Sequence, residues 1–137
     1  IFNRLPVDSH KYVNFADIGR EIGLENSFID YKTVSLIIPA LNEEKSIGSV
    51  LQAIPEHLVG EIIVVDNGST DRTVEFALQE GANIVIEKTR GYGAACLAGI
   101  SNLSENCEIV AFVDADFSDF PEDLGQILKP IIYGQAE

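Results

Sequence analysis

Four short apolar runs alternate along this chain with four segments of helical periodicity, and this alternation restricts the possible folds more than any other feature. The runs are TVSLIIPA (33–40), EIIVVD (61–66), ANIVIE (82–87) and EIVAFVD (108–114). Each is apolar along most of its length, as expected for a strand buried on both faces. Such strands, alternating with helices, predict an α/β fold with a parallel sheet and helices on both faces.

The expected helices cover 42–54, 72–80, 94–104 and 121–132. Asn42 is placed to cap the first of them, and Gly81 to end the second. Residues 1–33 show no sustained period, so we expect an N-terminal extension with one short helix over 15–22. The α/β domain is then expected over 34–137 and onward past the last residue.

The carboxyl ends of parallel strands meet at one edge of a sheet, where α/β proteins bind ligands. The segments that follow the four runs are PALNEE (39–44), DNGSTD (66–71), KTRGYG (88–93) and DADFSD (114–119). We therefore expect Asp66, Arg90, Asp114 and Asp116 to converge at this edge.

The bare residue types leave two interpretations of these side chains open. Asp114 and Asp116 offer the hard oxygen ligands that Mg²⁺ or Mn²⁺ prefers, but they would equally suit a solvated turn with a helix-capping role. Asp66 lies in a stretch that is typical of a turn plus helix cap. Arg90 stands beside Gly91 in a flexible loop, but GYGAA does not match the dinucleotide-binding fingerprint.

Charge and composition argue against two classes of protein, nucleic-acid-binding and membrane-spanning. The formal net charge is −13 among 137 residues, which repels nucleic-acid phosphates and makes nucleic-acid binding a poor expectation. A phosphorylated substrate would need a cation or a local basic group to offset this charge. The apolar runs are too short to span a bilayer, and Cys96 and Cys107 suit plain thiols, so we expect a cytoplasmic protein without a transmembrane segment.

Four ordered blocks resemble the nucleotide-sugar-binding half of glycosyltransferase family 2. They are VSLIIPALNEEKSIGSVL, EIIVVDNGSTDRTVEFA, TRGYGAACLAGI and IVAFVDADFSDFPEDL. Within the family they look most like the dolichyl-phosphate or polyprenyl-phosphate mannose synthase branch. The resemblance implies a Rossmann-like GT-A fold and an inverting transfer of sugar from a GDP- or UDP-linked donor. It further implies an acceptor such as a polyprenyl phosphate. Any contact with a membrane would then be peripheral and would occur through that acceptor.

The resemblance also implies roles for individual residues. Nucleoside-pocket residues would be Pro39, Ala40, Asn42 and Glu43. Asp66 would contact the base or ribose, and Arg90 the nucleotide. Asp114, Ala115 and Asp116 would form the D-x-D motif, whose two aspartates hold Mg²⁺ or Mn²⁺ against the diphosphate.

Two departures from the family pattern stand out. Asn67 occupies a place where the family usually has a second aspartate, so one carboxylate contact is lost. Ser118 stands where mannose synthases often carry a glutamine, which leaves the third metal contact open, and Asp119 is expected to be a turn residue.

We expect the general base and the acceptor site to lie beyond Glu137, so the chain resembles a truncated enzyme that alone transfers sugar poorly or not at all. Two alternatives stay open. A nucleotidyltransferase would need a glycine-rich, basic loop after the first strand, which PALNEE lacks. A non-catalytic nucleotide-binding or interaction domain is the other.

Overall fold

The computed structural model describes residues 2–4, 11–14 and 31–116. Its strands are β1 Phe2–Arg4, β2 Lys11–Asn14, β3 Val34–Ala40, β4 Glu61–Asp66, β5 Asn83–Ile86 and β6 Ile109–Phe112. Its α-helices are α1 Ile47–Ala53, α2 Thr73–Gln79 and α3 Tyr92–Ser101, and 3₁₀ turns cover Tyr31–Thr33 and Glu56–Leu58. The helices expected over 15–22 and 121–132 lie outside the described residues.

The strands form one sheet in the order β1-β2-β6-β3-β4-β5. The four strands predicted from the apolar runs are parallel to their neighbours, with β3 between β4 and β6. The predicted parallel α/β sheet is therefore confirmed. Because the chain proceeds from β3 outward to β5 and then returns to the other side of β3, the order reverses between β3 and β6. A crevice at such a switch point is the usual ligand site of a doubly wound sheet.

The first fourteen residues contribute two strands that the sequence did not predict. β2 pairs in parallel with β6, and β1 pairs antiparallel with β2 at the edge of the sheet. Part of the expected extension thus continues the sheet of the domain. Segments of three and four residues are too short to show a periodic signal, and their pairing depends on β6 far along the chain.

The core has two layers, one on each face of the sheet, as predicted. Leu36 and Ile38 of β3 pack with the apolar residues of α1 and α2, whereas Ile37 points to the opposite face, toward α3. This division follows from the two-residue period of a strand. Gly99 lets α3 approach β3 closely, because a Cβ at this buried position would lie 2.5 Å from Ile37 Cγ2.

None of the helices in the described part of the chain is long and apolar enough to cross a membrane. Cys107 is buried and Cys96 half-buried, and both are free thiols, in agreement with the sequence interpretation.

Candidate functional site

A cleft of about 270 Å³ opens at the carboxyl edge of the sheet. Its lining residues come from the ends of β3 and β4, from the loop after β5 and from the start of α3: Pro39, Ala40, Leu41, Asn67, Arg90, Gly91, Tyr92 and Ala95. The cleft is near the lower end of the volume range of small-molecule sites. Three predicted site residues, Pro39, Ala40 and Arg90, therefore lie together in one cleft.

The loops after β3 and β4 are joined to each other by hydrogen bonds between backbone and side chains. The Asn42 N–H donates to Ser69 Oγ at 2.9 Å, and the Thr70 N–H donates back to Asn42 Oδ1 at 2.8 Å. The Glu43 N–H donates to Thr73 Oγ1 at 2.8 Å. Neither Asn42 nor Glu43 is among the residues that line the cleft. Their contact with a nucleoside stays a prediction.

These bonds also explain why α1 begins later than predicted. Asn42 has a positive φ of 54°, outside the helical region, and the N-cap of α1 is Ser46. The prediction that Asn42 caps the helix is therefore wrong. Its side chain is used by the neighbouring loop instead, at a distance of 28 residues along the chain.

Asp71 adds a second link between the same two loops. Its carboxylate accepts hydrogen bonds from the Glu44 N–H at 3.2 Å and from the Thr73 N–H at 2.9 Å. Partial desolvation raises the pKa of Asp71, but the hydrogen bonds from Thr73 and Glu44 outweigh it, and the pKa lies below its usual value.

Asp66 lies at the carboxyl end of β4, where the sequence placed it. Its carboxylate is buried and accepts hydrogen bonds from the N–H groups of Gly68 and Ser69, each at 3.3 Å. This is the turn geometry that the sequence interpretation kept open for this aspartate. The contact of Asp66 with a base or ribose stays a prediction.

Asn67 is a site residue that sequence reasoning missed. It is 6% exposed and lines the cleft, and its side-chain amide makes three hydrogen bonds to the loop after β5. In the sequence, Asn67 stands out only because it replaces an aspartate that the family usually has at this place. Its position directly after a buried strand was the one available signal.

Arg90 extends over the loop after β4. A Cβ added to Gly68 would lie 3.3 Å from Arg90 Nε, which shows how closely the guanidinium approaches that backbone. Among the described residues that line the cleft, Arg90 is the basic one. It is suited to an anionic ligand because its guanidinium always carries a positive charge.

The D-x-D segment follows β6 on the other side of β3. Asp114 is half-buried and Asp116 exposed, while Ala115 between them is buried. Ser46 Oγ donates to the Ala115 carbonyl at 2.6 Å and so fixes this segment to the start of α1.

The pKa of the Cys96 thiol is raised above its usual value. Burial raises this pKa most, a hydrogen bond from Tyr92 opposes it, and the negative charge of Asp114 raises it further. Cys96 follows Ala95, and both Ala95 and Tyr92 line the cleft. Asp114 itself follows β6, which pairs with β3, so it lies at the carboxyl edge beside the strand whose end lines the cleft.

The residues present suit a divalent cation that is held partly by protein carboxylates and partly by water or substrate phosphates. Within residues 31–116 and the two N-terminal strands, no group of three or more His, Cys, Asp or Glu side chains is arranged around a metal position. Mg²⁺ commonly binds through one or two carboxylates together with water and substrate phosphates. Asp114 and Asp116 match that mode of binding, whereas a site built of protein ligands alone is not formed by the described residues.

Comparison with known proteins identifies the family of the chain. The family model described as glycosyl transferase family 2 matches residues 35–136. An uncharacterised glycosyltransferase of Mycobacterium tuberculosis is 42% identical over 101 residues, which are 74% of this chain and 44% of that protein. The 4,4'-diaponeurosporenoate glycosyltransferase of Staphylococcus aureus is 39% identical over 135 residues, with 93% of this chain and 32% of that protein covered.

Solved structures of a sugar-transferring enzyme have a similar fold. Glucosyl-3-phosphoglycerate synthase of Mycobacterium tuberculosis, in complex with Mn²⁺, UDP-glucose and phosphoglyceric acid, matches with a TM-score of 0.68 and 34% identity. The match covers 75% of this chain and 40% of that one. The same enzyme has been solved with Mg²⁺ and UDP, at a TM-score of 0.66. The chain thus spans less than half the length of these relatives. With its GT-A architecture and a family match over three quarters of its length, the chain belongs to glycosyl transferase family 2.

Proposed function

We propose that this chain forms the donor-binding half of a glycosyltransferase that uses a UDP-linked sugar together with Mn²⁺ or Mg²⁺. The observation that carries the proposal is the arrangement at the carboxyl edge of the sheet. The cleft contains Arg90 and is lined by the end of β3, and the segment with Asp114 and Asp116 follows β6, the strand that pairs with β3, at the same edge of the sheet. UDP is favoured over GDP because the similar solved structures contain UDP or UDP-glucose.

The residues of the chain have distinct parts in this proposal. The apolar floor of Pro39 and Ala40 would hold the nucleoside and exclude water, and Arg90 would attract the negatively charged part of the donor. Asp114 and Asp116 would hold the cation. When bound, such a cation supplies Lewis-acid stabilisation of the nucleoside diphosphate that leaves.

The relatives differ in the molecules that accompany the donor. The solved synthase contains phosphoglyceric acid, and the Staphylococcus aureus relative is a 4,4'-diaponeurosporenoate glycosyltransferase. A polyprenyl-phosphate acceptor, a mannose synthase-like activity and contact with a membrane gain no support from these relatives and stay predictions. The family match favours a glycosyltransferase over the nucleotidyltransferase and the non-catalytic domain.

Isothermal titration of UDP into the chain, with Mn²⁺ and again with excess EDTA, tests the proposal. We expect Asp116→Asn to weaken UDP binding in the presence of Mn²⁺ by at least about tenfold, or ~1.4 kcal/mol. The effect should vanish in EDTA, where the parent chain also binds poorly.

Glu105→Gln is the matched control. It removes one negative charge from an exposed position before β6, at the opposite end of that strand from Asp116. UDP binding with Mn²⁺ should be unchanged in this variant. Equal metal dependence in the parent chain and in Asp116→Asn would contradict the assignment of the metal site.

A further inference from the structure

Asn67 connects two loops that lie far apart in sequence. It follows β4 directly and is 6% exposed. Its Nδ2 donates to the carbonyl of Glu87 at 2.9 Å and to the carbonyl of Thr89 at 2.8 Å, while its Oδ1 accepts from the Gly91 N–H at 2.9 Å. All three partners belong to the loop that leads from β5 to α3.

Two of these bonds lie on either side of Arg90. The Thr89 carbonyl belongs to the peptide plane before Arg90, and the Gly91 N–H belongs to the plane after it. Because a residue's backbone direction is set by its two adjoining peptide planes, one amide group fixes the backbone of Arg90 from both sides. Arg90 is the basic residue of the cleft.

We propose that Asn67 is a positioning residue that holds Arg90 and Gly91 in the conformation that forms the donor cleft. Both hydrogens of its amide and one lone pair of its oxygen are already engaged, so Asn67 acts through the loop and has no donor left for a ligand. That the cleft binds a nucleotide donor rests on the proposed function. That Asn67 holds the loop rests on the hydrogen bonds alone.

The role requires an amide. The two carbonyl oxygens that face Nδ2 need donors, and an aspartate has none when ionised. It would instead bring a negative charge against two carbonyl oxygens at a position almost closed to water. The asparagine that seemed in the sequence to be a lost carboxylate is therefore the residue that this loop arrangement needs.

The conformation that Asn67 holds is one of many that are open to this loop. Gly91 has a φ of 126°, and as a glycine it can adopt positive and negative φ almost equally well. Besides the bonds to Asn67, the Glu87 N–H donates to the Asp66 carbonyl at 2.9 Å and the Thr89 N–H donates to Glu87 Oε2 at 2.8 Å. Neither of these two bonds involves the peptide planes that adjoin Arg90. Without the amide bridge, the Arg90 backbone would sample other orientations.

The first test is amide hydrogen exchange by NMR, without nucleotide, in the parent chain and in Asn67→Asp. We expect the Gly91 N–H to exchange at least about tenfold faster in the variant, because the loop loses both bonds from Nδ2 and opens more often, even though a carboxylate oxygen can still accept from Gly91. Asn102→Asp is the matched control, since Asn102 Nδ2 also donates to a backbone carbonyl, that of Ala98 at 2.8 Å, at the far end of α3. This control should leave Gly91 exchange unchanged.

The second test is a double-mutant cycle with Arg90→Ala, read out as UDP affinity in the presence of Mn²⁺. If Asn67 acts through Arg90, Asn67→Asp should cost about tenfold in affinity in the parent chain and less than about threefold once Arg90 is gone. A general loss of stability would lower affinity equally in both backgrounds. Asn67→Ala, which introduces no charge, repeats both tests if the aspartate variant does not fold.

The outcomes separate the two claims. Unchanged Gly91 exchange in both Asn67 variants would overturn the positioning role, and so would equal costs in the two arms of the cycle. If the parent chain binds no UDP with Mn²⁺, the proposed function fails, whereas the exchange measurement still decides whether Asn67 holds the loop.

Discussion

Replacing Gly99 with alanine should loosen the contact between α3 and the sheet. A Cβ at this position would lie 2.5 Å from Cγ2, 3.0 Å from Cδ1 and 3.1 Å from Cγ1 of Ile37. Ile37 is fully buried in the middle of β3, and its branched side chain has few alternative rotamers. The added methyl group can therefore be accommodated only if the helix moves away from the strand.

Two opposing contributions set the size of the effect. Overpacking of a filled core costs about 1–3 kcal/mol, whereas replacing glycine by alanine inside a helix gains about 1 kcal/mol. We expect Gly99→Ala to lower the free energy of unfolding by a net ~1 kcal/mol. With a slope of ~1.5 kcal/mol per molar, the urea midpoint would fall by roughly 0.7 M.

Gly48 in α1 provides the matched comparison. A Cβ added there meets no atom within 4 Å. Gly48→Ala should therefore keep the helical gain and raise the free energy of unfolding by up to ~1 kcal/mol. The same chemical change is expected to have opposite signs at the two positions.

Urea unfolding of both variants, followed by circular dichroism, tests this reasoning. Ile37→Val should not rescue Gly99→Ala, because valine retains Cγ2, the nearest atom. If Gly99→Ala is stabilised as much as Gly48→Ala, close packing of α3 on β3 is refuted. Because α3 also supplies Ala95 and Tyr92 to the cleft, UDP binding in Gly99→Ala should weaken as well.

Two further predictions concern the loops at the carboxyl edge. Ser46→Ala removes the 2.6 Å hydrogen bond to the Ala115 carbonyl, so unfolding should cost ~1 kcal/mol less and Mn²⁺-dependent UDP binding should weaken. An unchanged urea midpoint would contradict the first part. Asp71 has a lowered pKa, so its contribution to stability is present above the pKa of the unfolded chain and is lost as the pH falls through the folded value. Urea unfolding between pH 7 and about 3 measures how much more stable the parent chain is than Asp71→Asn, and this difference should shrink as the pH falls. A constant difference would argue against a stabilising role of the hydrogen bonds to the Asp71 carboxylate.

The part of the fold that the sequence predicts is the part whose signal is local. Leu36, Ile37 and Ile38 form a continuous apolar run because β3 is buried on both faces, and such a run can be identified without knowing its partners. The pairing of Lys11–Asn14 with Ile109–Phe112 has no such signal. It depends on a contact across most of the chain, and the sequence of β2 alone is too short to indicate it.

The candidate site divides in the same way. Asp114 and Asp116 can be located from the sequence because any residue that follows a parallel strand must lie at the carboxyl edge. The role of Asn67 cannot, since its three partners are 20 to 24 residues away and two of them are backbone carbonyls. The role of Asn42 is likewise set by a distant residue. Its residue type suggests a helix cap, but its side chain instead accepts a hydrogen bond from the Thr70 N–H in the neighbouring loop.

These loop contacts bear on why a cation is needed. Asn42, Asp66 and Asn67 are polar residues at the carboxyl edge, but their side chains are engaged by neighbouring backbone groups. In the described part of the cleft, Arg90 supplies the only basic side chain, within a chain of net charge −13. A nucleoside diphosphate brings further negative charge to this edge, and one exposed guanidinium offsets little of it through water. The proposed requirement for Mn²⁺ or Mg²⁺ therefore rests on the charge of the whole edge as well as on the two aspartates that would hold the ion.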